Sequence, residues 1–253
     1  MIAFAAVSSP SSAGRAGSAS TLPARDIAEM RVSEYLGTAG CALCRGRAAA
    51  EERFVDAVIA EAVTDVGARR RLDAAGGYCG THAGLLPVRE RARRGGTLGS
   101  AVLLGSVLRG RLAALDAAMS GGGRRLAGRV ASLREPAACP VCRDVESSVG
   151  SVLTIVIGRL GDPAWADALA RSPLCLDDLL LLWHVVVRSD GRTRDAWRPV
   201  GDAQVARLRA ILATADAYVD HSGHDRQAEL TDEERSAADA LVRVLAGDST
   251  RVP

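Results

Sequence analysis

Lysine is missing from this chain: all 32 basic residues are arginine. Aromatic residues are nearly missing as well, at 3% of 253 positions, although hydrophobic residues make up 48%. A core so poor in rings has to be filled with Leu, Val, Ile and Ala, which suits packed helices better than sheets. The all-arginine cation set accompanies abundant Ala and Gly, the mark of a GC-rich bacterial genome rather than of an arginine-dependent function.

Long apolar runs are missing too. No stretch reaches the roughly 18 uninterrupted apolar residues of a membrane span. The run 179–187 is interrupted at Trp183-His184 and closed by Arg188. The apolar run Ile2–Val7 is short and follows no basic residue, so no secretory signal is expected and the cytoplasm is the expected compartment. The tract Ser8–Ser20, rich in Ser, Gly and Ala, reads as a tail without fixed structure. Strand-like alternation is absent throughout, and so is a Cys-x-x-Cys-His haem attachment, because Arg45 and Arg143 stand in the next position.

The small net charge of +2 hides an asymmetry. Residues 1–160 hold 21 Arg against 14 acids, and residues 161–253 hold 11 Arg against 16 acids. The arginines of the first half are interleaved with acids and lack aromatic neighbours, so a solvated helix face is favoured over nucleic-acid binding. Nucleic-acid binding through this Arg-rich half stays open as a weaker alternative.

What is present is cysteine in a pattern. The segment Cys41-Ala-Leu-Cys44-Arg45 resembles Cys139-Pro-Val-Cys142-Arg143. A third cysteine follows each pair, as Cys79-Gly-Thr-His82 after 34 intervening residues and Cys175-Leu-Asp-Asp178 after 32. Such an internal repeat implies two copies of one supersecondary unit. Six cysteines in a cytoplasmic chain point to thiolate ligands rather than disulfides.

Helical periodicity fills the space between. Phe54, Val55, Val58, Ile59 and Val63 recur at three- and four-residue steps, and Gly76-Gly77 stops the short helix that follows. Val149, Val152, Leu153, Val156 and Ile157 repeat the pattern, with Asp162-Pro163 as N-cap and first helical residue. Each copy is thus a helix, a short helix, and a third helix opening at Cys-x-x-His or Cys-x-x-Asp. Pro87 is expected to end or kink the first of these third helices.

A long helix from about Thr97 to Met119 follows, broken at Gly121-Gly122-Gly123. Residues 189–201 read as a polar loop, 202–221 as a helix, and Thr231–Glu234 as the capping box of a last helix ending at Gly247.

Two cysteines separated by two residues turn both sulfurs toward one point, and a Cys and a His three apart share a helix face. Three sulfurs and one imidazole are a tetrahedral set that zinc favours. The first site is read within the first repeat, from Cys41, Cys44, Cys79 and His82. The second is Cys139, Cys142, Cys175 and Asp178, either holding zinc through the weaker carboxylate ligand or empty.

An iron–sulfur cluster or a thiol-redox function on the same cysteines is the alternative. A thioredoxin-like role is disfavoured because no strand precedes either pair. His184 lies on a different helix face from Asp178 and reads as a hydrogen-bonded histidine among Leu and Val. His221 and His224, beside Asp220 and Asp225, read as solvated capping residues rather than ligands. No catalytic constellation emerges; three cysteines with an open position, should Asp178 not bind, are the one opening for catalysis.

The order Cys-x-x-Cys-Arg, helix, Tyr-Cys-Gly-x-His, second Cys-Pro-x-Cys-Arg and C-terminal helical pair resembles an uncharacterised prokaryotic family known only as a domain of unknown function. His221–Arg226, Thr231–Glu234 and Leu245-Ala246-Gly247 resemble its C-terminal part, and the resemblance covers about residues 30–248. It implies cysteine-based metal binding and no known activity.

The expectation is an all-α bundle of two zinc-braced helical repeats plus a C-terminal helical pair. Residues 1–28 form a tail, 29–120 the first repeat with its long connecting helix, 121–190 the second repeat, and 191–253 the C-terminal pair. The repeats and the pair are read as one globular unit. The expected role is a non-enzymatic, zinc-binding helical protein whose metal braces a surface for a protein partner or for self-association.

Overall fold

Eleven α-helices and no strand make up the described part of the chain. The computed structural model describes residues 22–120, 139–222 and 230–247. The tract Ser8–Ser20, the Gly121-Gly122-Gly123 break and His224 lie outside them. The all-α class is as the ring-poor composition predicts.

Residues 22–120, which take in the expected first repeat, hold α1 (Ile27–Leu36), α2 (Ala42–Ala57), α3 (Val66–Ala74), α4 (Gly80–Arg94) and α5 (Leu98–Ser120). A π-helical turn, Val58–Ala62, continues α2. The second part holds α6 (Pro140–Gly158), α7 (Pro163–Arg171), α8 (Leu176–Val186), α9 (Gly191–His221), α10 (Asp232–Arg235) and α11 (Ala237–Ala246).

Helix starts follow local chemistry. Asp26, Asp65, Asp162 and Asp190 each accept a backbone N–H of the first turn, and Thr231 with Glu234 forms the expected capping box. The glycines Gly76 and Gly77 take positive φ after α3, as the stop signal requires.

The centre of the fold is α2 packed antiparallel on α6. Leu43, at the start of α2, shares a core with Val149, Leu153 and Val156 from the later turns of α6. Ala50 and Val55, farther along α2, share another with Val141 and Val145 from the first turns of α6. Gly46 permits the close approach: a Cβ there would lie 3.4 Å from Val152 and 3.5 Å from Tyr35. The larger core also takes residues of α1, α7, α8 and α9, so both repeats and the C-terminal helices feed it.

Three expectations are corrected. Pro87 does not end α4, which runs on to Arg94. The cost of an interior proline, about 3 kcal/mol, is outweighed by anchors on both sides. At the start these are Cys79 and His82. At the end, Arg89 donates to Asp56 at 2.9 Å and buried Glu90 holds the next helix. Residues 189–201 are not a loop: from Gly191 they are the first turns of α9, which continues through Pro199. Their pattern reads as polar, yet Trp197 and Val200 are buried and Asp190 caps the helix on the Thr193 N–H.

Residues 22–28, assigned to the tail, are built in: Leu22 packs on the core and the Pro23 carbonyl accepts Trp165 Nε1–H at 3.0 Å. No 18-residue run of α5 is free of polar residues, yet by length and composition the helix is apolar enough to cross a membrane, because its Leu, Val and Ala outweigh its Gly, Ser and charged residues. It packs on α3 and α4, and its outer side exposes Leu108, Leu112, Leu115 and Met119.

Glu90 joins α4 to α5. Its carboxylate accepts the Gly99 N–H at 2.8 Å, the Ser100 N–H at 2.7 Å and the Ser100 hydroxyl at 2.6 Å, capping α5. The Ser100 hydroxyl, with those two N–H groups, holds the carboxyl below its usual range against the opposing effect of burial. A depressed folded-state value means the stabilisation is complete above the ordinary glutamate pKa and lost as pH falls through the folded one. Glu90→Ala is therefore expected to cost about 2–3 kcal/mol in urea unfolding at neutral pH, leaving buried donors unpaired. The gap between variant and wild type shrinks below about pH 4.3.

Candidate metal centres

Each Cys-x-x-Cys sits at a helix start. Cys41 and Cys139 are the N-cap residues of α2 and α6, and Cys44 and Cys142 lie in the first turn of each. Cys79 and Cys175 cap α4 and α8 in the same way, with His82 and Asp178 one turn in on the same face. All four helices thus aim an electropositive N-terminus at a set of sulfurs, which favours thiolates.

All eight predicted residues meet in two clusters, but the pairing crosses the repeats. The first cluster is Cys79, His82, Cys139 and Cys142; the second is Cys41, Cys44, Cys175 and Asp178. The within-repeat sets, Cys41 and Cys44 with Cys79 and His82, and Cys139 and Cys142 with Cys175 and Asp178, are therefore corrected. The cause is the antiparallel α2–α6 contact, which lays the start of each helix beside the third helix of the other repeat.

In the first cluster His82 Nδ1 lies 3.1 Å from Cys79 Sγ, 3.4 Å from Cys139 Sγ and 3.3 Å from Cys142 Sγ. The Cys79 and Cys142 sulfurs are 3.7 Å apart. In the second, Asp178 Oδ2 lies 3.1 Å from Cys41, 3.2 Å from Cys44 and 3.3 Å from Cys175, with Cys44 and Cys175 3.7 Å apart. A tetrahedral site with metal–sulfur bonds of about 2.3 Å has sulfur–sulfur edges of about 3.8 Å and sulfur–nitrogen edges of about 3.5 Å. Disulfides are excluded at these separations, and none of the six cysteines is in one.

The side chains behind the ligands are matched to them. His82 is buried, and its Nε2–H donates to Glu51 Oε1 at 2.7 Å, which fixes the tautomer leaving Nδ1 for the sulfurs. Asp178 is 2% exposed and receives Arg47 at 3.0 Å on the oxygen that faces away from the sulfurs. A second nitrogen of Arg47 lies 3.8 Å from Cys44 Sγ. Both supporting residues belong to α2, one turn apart. The sequence reading named neither; a carboxylate and a guanidinium at i and i+4 look like an ordinary surface pair.

Without a cation, protons must be shared unequally. Hydrogen bonds from Cys175 and Cys41 pull the Cys44 thiol down to about 4, while the same contacts drive Cys175 far up. Burial, then the neighbouring Cys79, pushes Cys142 up to about 12. Burial opposes ionisation of Cys79 too, but the backbone N–H of His82 and the Cys142 thiol hold it low. In each cluster one thiol is thus eased toward ionisation while a neighbour is pushed to keep its proton. A bound cation removes that conflict, so each donor set fits a metal ion.

The other histidines stay apart. His184 is exposed on α8 rather than packed among Leu and Val, because the buried face of that helix runs through Leu179, Leu182 and Val186. His221 Nδ1 meets Glu234 Oε1 at 2.8 Å, joining the end of α9 to the α10 capping box.

Removing the Glu51 carboxylate leaves the imidazole unoriented. Glu51→Ala is expected to weaken metal binding at the first cluster by about 10–100-fold, measured by chelator competition, with the second cluster unchanged. Comparison of the chain with family models, with curated proteins and with solved structures finds no match.

Proposed function

We propose that this is a zinc protein without catalytic activity, in which two structural ions lock two helical repeats together and brace a surface for a protein partner. One observation carries the reading: in each cluster the four ligand atoms all lie within 4.8 Å of one another. That spacing suits a single tetrahedral ion. An iron–sulfur cluster would need the ligands divided between two or four irons and hence spread the sulfurs apart, which weighs against the alternative.

Three thiolates with an imidazole or a carboxylate are a borderline-soft set that zinc accepts. Four protein ligands leave no position for a water, which argues for structure rather than catalysis. In peptide sites zinc contributes about 10–16 kcal/mol, as much as a whole domain's stability of about 5–15 kcal/mol, so folding and loading are coupled. Six reduced cysteines suit a reducing compartment such as the cytoplasm.

The outer side of α5 supports the partner reading, since Leu108, Leu112, Leu115 and Met119 form an exposed helical stripe. The arginines of α4 weigh against nucleic acid: Arg89 is paired with Asp56 and Glu52, and Arg93 with Asp56.

Elemental analysis of the purified chain is expected to give two zinc ions and no visible chromophore; iron with a brown colour would sink the reading. The crossed pairing has its own test. Cys41→Ser with Cys175→Ser in one chain is expected to leave one tightly held zinc, at the first cluster. Were the ligands paired within repeats, the same double variant would damage both.

A further inference from the structure

We propose that the C-terminal helices α10 and α11 are a latch closed by the metal of the second centre, so that loading of Cys41, Cys44, Cys175 and Asp178 fixes or frees residues 232–247. The inference rests on the zinc reading and deepens it.

The contact that carries it is Gly247, the residue that ends α11. Its φ of +75° is in the left-handed region that favours glycine. A Cβ there would fall 2.8 Å from Cys44 Sγ and 3.6 Å from Cys175 Sγ. No side chain fits, and the backbone of the chain's last described residue lies directly against two ligand sulfurs. The end of α11 is therefore placed by the sulfurs themselves.

The rest of the latch is held less firmly. Between α11 and the second centre lies a cavity of about 480 Å³, lined by Cys41 and Cys175 on one side and by Ala240, Arg243 and Val244 on the other. Outward, Val242 and Leu245 are 61% and 60% exposed. Only Ala237 of α11 is fully buried within the helix. At the other end, the His221–Glu234 pair ties the short α10 to α9. α11 also packs along α9 and reaches α8, but with one fully buried residue and a cavity beneath it the helix depends on its end contacts more than a fully buried one does.

The two centres differ in what they hold the ion with. The first uses an imidazole fixed by Glu51 and lies against α4 and α6. The second uses a carboxylate, the weaker zinc ligand, and carries one more negative charge, offset by Arg47. The second ion is thus the one to leave first. When it leaves, three thiols and a carboxylate reorganise, and the surface against which Gly247 is set is lost.

The experiment uses the full chain loaded with zinc and a chromophoric zinc chelator. In wild-type protein, removal of the first zinc to leave is expected to raise amide exchange in residues 232–247 by about tenfold or more. The amides of α4 and α6 stay protected. Gly247→Ala, which forces a methyl group onto Cys44, is expected to speed release of that same zinc by about tenfold, the other being unchanged. Two bound zincs with equal exchange of 232–247 before and after the first release would overturn the latch and leave the zinc reading standing. Equal release rates in Gly247→Ala and wild type would do the same. Fewer than two zincs in the wild-type chain would overturn both.

Discussion

The antiparallel contact of α2 on α6 is the constraint on which the rest depends. It brings the start of each helix to the third helix of the opposite repeat, and so decides which ligands can meet. Cys41 and Asp178 are 137 positions apart, and Cys139 and His82 are 57 apart. In this arrangement neither half completes a cluster alone, so docking of the two halves comes before or together with closure of each cluster. A cross-link between such distant positions removes more unfolded-state freedom than one within a short hairpin, by the logarithm of the loop length. The crossing therefore makes each cluster a tie between the two halves instead of a staple within one.

The duplication extends to the ligands but not to what supports them. Counting from Cys41 and Cys139, the positions of Arg47 and Glu51 correspond to Val145 and Val149 in α6, both core residues. One helix thus supplies the polar support of both centres while its counterpart supplies apolar packing. The division follows the ligands. An imidazole is held best by an acceptor for its second N–H, and a buried carboxylate among thiolates needs a cation. Arg47 and Glu51 meet these opposite needs from one face of α2, one turn apart.

Much of the fold was legible in the residues. The apolar periodicity of α2 and α6, the Asp162-Pro163 start and the Thr231–Glu234 box are local signals, and local signals survive into the structure. The eight clustered residues were legible for the same reason, because each pair lies within one turn. What failed was non-local. The first turns of α9 look polar until Trp197 is placed against Trp183, 6.4 Å between ring centroids. Gln204 and Arg207 are polar and carry no sequence signal of burial, yet Gln204 is buried and both donate to the last carbonyls of α7. Pro87 reads as a stop because the anchors that carry α4 past it come from α2 and α5.

The pairing of the ligands failed for a deeper reason. A duplicated unit offers two chemically equal ways to combine its halves, within copies or across them, and cysteine spacing alone cannot separate them. The tie is broken by residues that are not ligands. Arg47 stands one turn past Cys44, within reach of a site at the start of α2, and it meets Asp178. Glu51 stands seven residues past Cys44, about 10 Å along the helix, too far to serve that site, and it meets His82. The position of the carboxylate that orients the histidine thus places His82 beside the middle of α2. That is where an antiparallel partner brings its own first turn, with Cys139 and Cys142.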